Sequence, residues 1–421
     1  MKSLRHLPDG AAGRLWRFSA PSTESRTAGA PASSRPASGD VPAGVLRRAV
    51  VYCSIWVGSV RAALVIVALL AQRLPAAKPA DVPGWPAPRV DGSLEQIATA
   101  LERWDALWFL RIAGDGYRLH DGSAAFWPGF PLATRALSVI LGGRLLPASL
   151  ILSLLFSVAA LTLFYLLGTL EFGESLARRS VSYLALFPTA FFLAAPYSEA
   201  MFLCLSLGAL LAVRMERYWL SALCAALASA TRSIGIILLL PLVLEALATR
   251  RARSPRDAFG TALGLSAACL SGAALYLAYW AARSGNWLEP FSSQSQWLRD
   301  ASWPWETISL ATTLAWRYDA VWHRIDWLLM IPMLAIALWS LGWMRASYSA
   351  YVWGSLVVIL SFVFPARPLM SAPRFVLALI PLFWALARLT GRASTHRIVA
   401  FGLGAGQALL AAAFMAWYPI F

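Results

Sequence analysis

Residues 49–72, AVVYCSIWVGSVRAALVIVALLAQ, decide what kind of fold this is. The run exceeds the roughly 7 to 15 residues of a signal-peptide core and reaches the roughly 17 to 25 apolar residues that cross a bilayer. It reads as a retained first span. Further apolar stretches follow near 131–146, 147–170, 181–195, 197–213, 218–231, 234–249, 259–282, 327–345, 347–364, 374–390 and 398–418. In a chain that is 59% hydrophobic and 14% charged, this pattern predicts an all-α polytopic membrane protein, because lipid offers no partner to unpaired backbone groups.

Residues 1–45, rich in Ser, Pro, Ala and Arg, are expected to form a disordered basic cytoplasmic tail. Residues 46–421 are expected to form one multi-span domain. The net charge of +15 resides in short clusters between spans, such as RMER at 214–217, RRARSPR at 250–256 and RLTGRASTHR at 388–397. These clusters are expected to face the cytoplasm, which accounts for the charge without nucleic acid. Two large loops, about 73–130 and 283–326, then face outward. Six apolar stretches lie between the first loop and RRARSPR, where an odd number of crossings is needed. The segment 131–146, or a short one flanking Pro196 or Thr231, is therefore expected to enter without spanning. Cys53, Cys204, Cys224 and Cys269 all fall in apolar runs with no CxxC pair, so they read as small core residues. His6, His120, His323 and His396 are scattered, and no metal or other cofactor is called for.

The first loop contains RWDALWFLRIAGDGY, Arg103 to Tyr117. A capping box at Ser93 and Gln96 predicts a helix from near Leu94, with Leu94, Ala98, Leu101, Asp105, Trp108 and Ile112 on one face. Asp105 interrupts that apolar stripe. Arg111 and Asp115, spaced i, i+4, can satisfy each other, which leaves Asp105 without a local counter-ion. It reads either as a capping or solvated residue or as a catalytic carboxylate at the mouth of a cavity. In the second loop, Trp287, Trp297, Trp303 and Trp305 suit a headgroup-level surface, with Glu289, Asp300 and Glu306 expected to be solvated.

The ordered motifs WDALWFLRIAGDGY with AAFWPGFP, FPTAFFLAAPYSEAMF, ATRSIGIILL and PARPLMSAPRFVLALIPLF resemble the PIG-V family of membrane mannosyltransferases, of the glycosyltransferase C superfamily. The resemblance runs from about residue 45 onward. It implies a glycosyltransferase C-like helical bundle whose long first extracytoplasmic loop holds interfacial helices and whose active site faces outward. The donor would be a polyprenyl-phosphate mannose, and the acceptor a hydroxyl of a lipid-linked or envelope glycan. Transfer would be inverting, with an α-1,6 linkage as the family's pattern. The Ala-, Arg- and Pro-rich composition suggests a bacterial cytoplasmic membrane.

The resemblance makes Asp105 the catalytic carboxylate. Arg232 and Arg374 are candidates for the departing phosphate, with snorkelling at helix ends as their structural alternative. Arg367 is a weaker candidate. Glu199 either orients Arg232 and binds sugar hydroxyls or only pairs with an arginine. Trp104, Trp108, Phe126 and Trp127 either stack on sugar or prenyl chain or anchor the loop at the interface. A transporter or lipid flippase, which also needs intramembrane charge and broken helices, is the alternative function.

Overall fold

The structure is a computed structural model that describes residues 42–75, 99–249, 254–318 and 321–420. The Ser93–Gln96 capping box and nearly all of the N-terminal tail lie outside the described residues. What is described is almost entirely helical. α1 (Ala43–Ala71) is the first long helix. After the first loop come α2 (Asp105–Asp115), α3 (Gly129–Ile140), α4 (Leu145–Phe172), α5 (Glu174–Leu186), α6 (Glu199–Arg214) and α7 (Tyr218–Thr231). A 3-10 run, Ser233–Leu238, leads into α8 (Leu239–Thr249), followed by α9 (Pro255–Ser284). The remainder comprises α10 (Pro304–Arg317), α11 (Val321–Ser340), α12 (Ala346–Ser361), the short helix Ala372–Phe375, α13 (Ile380–Leu389) and α14 (Ala393–Met415).

Five of these helices, α1, α4, α9, α11 and α14, are long and apolar enough to cross a membrane, and residues 372–389 form a sixth candidate bent by 87°. Large apolar side chains stand exposed on them, including Phe401 at 79% and Leu275 at 73%. A soluble surface would hide such side chains, whereas a lipid-facing one need not. Helix ends follow local chemistry. Ser254 accepts from the backbone N–H of Asp257 and Pro255 opens α9, while Gly285, at φ 76°, closes it.

Two buried polar layers fix how the chain threads. In one, Glu245 of α8 takes two hydrogen bonds from Arg345, one from Arg214 of α6 and one from Ser347 of α12. Arg214 also pairs with Glu171 of α4 at 2.6 Å. The other layer holds Glu199, Arg232 and Arg374. α6 begins at Glu199 and ends at Arg214, so its 16 residues separate the layers by about 24 Å.

Between the first loop and residues 250–253, five segments pass from layer to layer: α4, α5, α6, α7, and the 3-10 run with α8. α4 meets the level of the second layer at Ser153 and Ser157, which donate to the carbonyls of Ala195 and Leu193. Its start at Leu145, and the end of α3 just before it, therefore lie beyond that layer. α3 starts beside Thr231 and does not pass between the layers, so five of the six stretches do.

The first loop departs from its expected form. Residues 99–104 are turn and coil, and the helix starts at Asp105 rather than near Leu94. Arg111 pairs with Asp121, not Asp115, while Asp115 meets Arg118. Glu289 is 7% exposed and accepts from Asn286, so it is not solvated. Asp300 and Glu306 are exposed, Glu306 capping α10 at the backbone N–H of Trp303.

Helix contacts in the bundle rely on small residues. A Cβ at Gly272 of α9 would lie 2.0 Å from the carbonyl oxygen of Ala226 in α7. Gly272→Ala should force the two helices apart and lower stability by about 1–3 kcal/mol, read as a fall in the thermal midpoint of the detergent-solubilised protein.

Candidate active site

The acidic members of the site stand at helix starts. Asp105 is the first residue of α2 and Glu199 the first of α6. Unpaired N–H groups and the positive end of the helix dipole favour a carboxylate there. Asp105 thus does not interrupt a helix face, as its spacing suggested; it opens the helix. The residue before it, Trp104, has φ 54° and ψ −119°, a costly backbone for a non-glycine residue. Ser371, which precedes the short helix carrying Arg374, has φ 69°. Two strained residues thus precede the helices that present Asp105 and Arg374.

Arg374 joins the two acids. Its Nη1 donates to Asp105 Oδ2 at 2.7 Å, and its Nε lies 3.2 Å from Glu199 Oε1. The same Oε1 accepts from Arg232 Nη1 at 2.5 Å, and that nitrogen also donates to Ser198 Oγ at 3.1 Å. Arg232 occupies the break between α7 and the 3-10 run, in an extended conformation. The tight return after it depends on Gly235, where a Cβ would lie 2.6 Å from the carbonyl oxygen of Ala228. The rings of Phe192, Tyr197 and Phe375 lie 5.1–5.5 Å from the Arg374 guanidinium.

Beside this chain of charges is a small, partly open pocket whose lining includes Glu199, Phe202, Arg232, Arg374 and Phe375. Asp105 is not part of the lining and reaches it through Arg374; its side chain is 21% exposed. Glu199 Oε2 is buried with no hydrogen-bond partner among the described residues. An unsatisfied buried acceptor beside a pocket is a natural place for a ligand hydroxyl.

A third cation, not singled out from the sequence, belongs here. Arg299, in the second loop, donates to Ser371 Oγ at 3.1 Å and is close enough to feel the charges of Arg374, Asp105 and Arg232. Burial first, then Arg374, pull its pKa down to about 10, so it stays charged at neutral pH. A two-residue antiparallel pair, β1 (Asp300–Ala301) with β2 (Phe362–Val363), joins its segment to the loop before Ser371. Arg299 lies in a mixed polar and aromatic loop rather than inside a long apolar run, so depth gave no signal; its place depends on contacts between distant loops.

The structure brings Asp105, Glu199, Arg232 and Arg374 together. The aromatic candidates lie in packing. Trp108, 2% exposed, stacks on Phe126 and meets Trp297 edge-on, which ties the first loop to the second. Trp127 packs on Tyr276 of α9, and Trp104 on Trp417. Arg367 is held by Asp326 through two bonds of 2.6 and 2.9 Å and stands apart from the cluster as a structural tie.

Residues 62–250 match the sequence pattern of the family described as mannosyltransferase (PIG-V). GPI alpha-1,6-mannosyltransferase 2 of Cricetulus griseus is 40% identical over 161 residues, covering 35% of this chain and 32% of that protein. The Homo sapiens protein of the same name is 37% identical over 163 residues, 35% of this chain and 32% of its own. GPI mannosyltransferase 2 of Gibberella zeae is 35% identical over 117 residues, 27% of each. The chain thus spans about a third of the length of the first curated relatives it matches. The Archaeoglobus fulgidus oligosaccharyltransferase aligns over 85% of this chain and 53% of its own at 15% identity, with a TM-score of 0.40. Over residues 62–250 the chain is thus similar to the PIG-V mannosyltransferases, which bears out the resemblance drawn from the motifs in that stretch; the motif at 365–383 lies outside the match.

Proposed function

We propose that this protein is a membrane mannosyltransferase of the glycosyltransferase C type. It takes mannose from a polyprenyl-phosphate mannose and passes it, with inversion and in an α-1,6 linkage, to a hydroxyl of a lipid-linked or envelope glycan. The setting is the outward face of a bacterial cytoplasmic membrane, with the clustered arginines of 214–217, 250–256 and 388–397 on the cytoplasmic side. One observation carries the reading beyond family likeness: Arg232, Arg299 and Arg374 converge on only two carboxylates, Asp105 and Glu199. Among the described residues of the cluster the site holds one surplus positive charge beside a pocket, as a lipid phosphate requires.

The chemistry follows from that imbalance. The acceptor oxygen attacks the anomeric carbon, the bond from that carbon to the phosphate oxygen breaks, and the lipid phosphate leaves with the electron pair. The acceptor's proton passes to Asp105, which Arg374 holds in place. Charge grows on the phosphate as the bond breaks, and the guanidiniums of Arg232, Arg299 and Arg374 stabilise it, so the step is routed through arginine rather than a metal. Glu199 Oε2 accepts from a sugar hydroxyl. A phosphate entering the site competes with the two carboxylates for the arginines, which frees Asp105 to take the proton.

The test is turnover by the purified protein in lipid nanodiscs, given labelled polyprenyl-phosphate mannose and glycan acceptors. Asp105→Asn keeps shape and removes the base, and should lower kcat by about 10²- to 10⁴-fold while donor binding persists. Undiminished turnover overturns the role of Asp105. Arg299→Gln should weaken donor binding and slow turnover together, by about tenfold or more, because it removes a charge-assisted contact to the phosphate. Vesicle uptake of the sugar lipid without glycosylated product would instead support a transporter.

A further inference from the structure

The turn that delivers Asp105 is held from outside its own loop. Trp104, at φ 54° and ψ −119°, has a backbone that a non-glycine residue keeps only where its surroundings over-determine it. The carbonyls of the two peptide planes flanking its Cα are the ones that start α2: Arg103 O accepts from the N–H of Ala106, and Trp104 O from that of Leu107. Relaxation at Trp104 would therefore swing the first turn of α2, and the Asp105 carboxylate with it.

Residues 416–420 supply the contact that prevents this. Trp417 meets Trp104 edge-on, with ring centroids 5.7 Å apart, and the guanidinium of Arg103 lies 4.5 Å from the centre of the same Trp417 ring. Arg103 Nε also donates to the carbonyl of Met415 at 3.2 Å. One indole thus touches both residues of the turn. Trp417 stands just past the end of α14 at φ 67°, with its N–H on the carbonyl of Phe414 and that of Tyr418 on Ala413. These are the two backbone bonds of a Schellman end, whose left-handed residue is normally glycine because a side chain there is strained. A helix that only needed to stop would not put its largest side chain at that position.

The far end of the segment is anchored separately. Arg367 Nη1 donates to the carbonyl of Pro419, and two bonds to Asp326 of α11 lock the same guanidinium. Tyr418 packs on Trp322 of that helix at 5.8 Å. Arg367 also precedes Arg374 by only seven residues. One buried tie thus reaches both halves of the Asp105–Arg374 pair, Arg374 along the backbone and Asp105 by way of residues 416–420.

On the mannosyltransferase reading, we propose that Trp417 is a positioning residue for sugar transfer. Residues 416–420, clamped by Arg367, hold the Arg103–Trp104 turn in its strained form and so aim the Asp105 carboxylate at the acceptor hydroxyl. Trp417 is not in the pocket lining and acts through Trp104. A reacting group displaced by about 1 Å can cost on the order of 10²-fold in rate, which is the scale expected when the strap is released.

Turnover and hydrogen exchange of the full chain in nanodiscs test this together. Trp417→Ala should lower kcat by about 10²-fold and leave the Kd for labelled polyprenyl-phosphate mannose within about twofold. Trp417→Phe, which keeps a ring against Trp104, should recover most of the rate. In an Asp105→Asn background, Trp417→Ala should cost less than about threefold more, because the group it aims is already gone. An undiminished further loss in that background, a loss that falls on donor affinity, or a kcat equal to the wild type's overturns the proposal. Exchange needs no activity: the amides of Ala106 and Leu107 should exchange about tenfold or more faster in Trp417→Ala, while those at the Arg214 end of α6 keep their rate. Unchanged exchange at 106–107 also overturns the proposal. Trp417→Leu, which keeps apolar bulk but loses the ring, carries the same measurements if the Ala variant does not fold. A wild type that makes no product overturns the mannosyltransferase reading itself, whereas a wild type that turns over no faster than Trp417→Ala overturns only the role of Trp417.

Discussion

The guanidinium of Arg374 is the constraint on which the rest of the site depends. It is 7% exposed and holds two carboxylates from different helices, Asp105 of α2 and Glu199 of α6. A cation taken that far from water is tolerable only with its partners fixed at hydrogen-bond distance, because desolvation consumes most of the Coulomb attraction. The fold meets that demand by starting a helix at each carboxylate. It also accepts strained backbone at Trp104 and Ser371, the residues that aim α2 and the short helix at one another. The same pairing fixes where Asp105 points, so the ion pair that steadies the fold also sets the geometry of the site.

The cluster lies where spans are interrupted. α7 ends at Thr231 and the chain turns back at once through the 3-10 run, α6 opens after the bend at 187–198, and residues 372–389 bend by 87°. Each break frees backbone groups that lipid cannot satisfy, and such breaks survive in a membrane only where they face protein or a polar cavity. The opposite layer shows the contrast. There both oxygens of Glu245 accept hydrogen bonds, from Arg214, Arg345 and Ser347, as suits a joint that holds helices together. At the site, Glu199 Oε2 is left over.

The membrane character, the helical class and the four charged residues of the cluster were legible because each is a polar residue set among apolar ones. Burial in such a segment is costly, so the residue advertises a partner. The identity of the partner was not legible. Asp105 and Arg374 are 269 positions apart, and no periodicity connects them. The start of α2 was misplaced because a local capping signal and a heptad-like stripe outweighed the Arg103–Trp104 turn, which only tertiary contacts fix. Arg103 donates to the carbonyls of Thr99, Glu102 and Met415, and Tyr197 donates to the carbonyl of Arg103. Trp108 and Phe126 looked like ligand surfaces for a related reason: aromatic side chains serve packing and stacking with the same chemistry, and which they do depends on what lies opposite.

What lies opposite is the second loop, and this sets how the site can be entered. Trp297 closes against Trp108 and Phe126, and two positions later Arg299 reaches Ser371 and the charge cluster. One short segment thus joins an apolar clasp to a cation. Its strand pairing with residues 362–363 is only two residues long, too little to hold it without the clasp. A donor that combines a prenyl chain with a phosphate makes the same two demands, an apolar surface and a positive charge a few ångströms apart. The segment that supplies both is held to the body by the aromatic clasp and a two-residue strand pair, so changes at the clasp should be felt at Arg299.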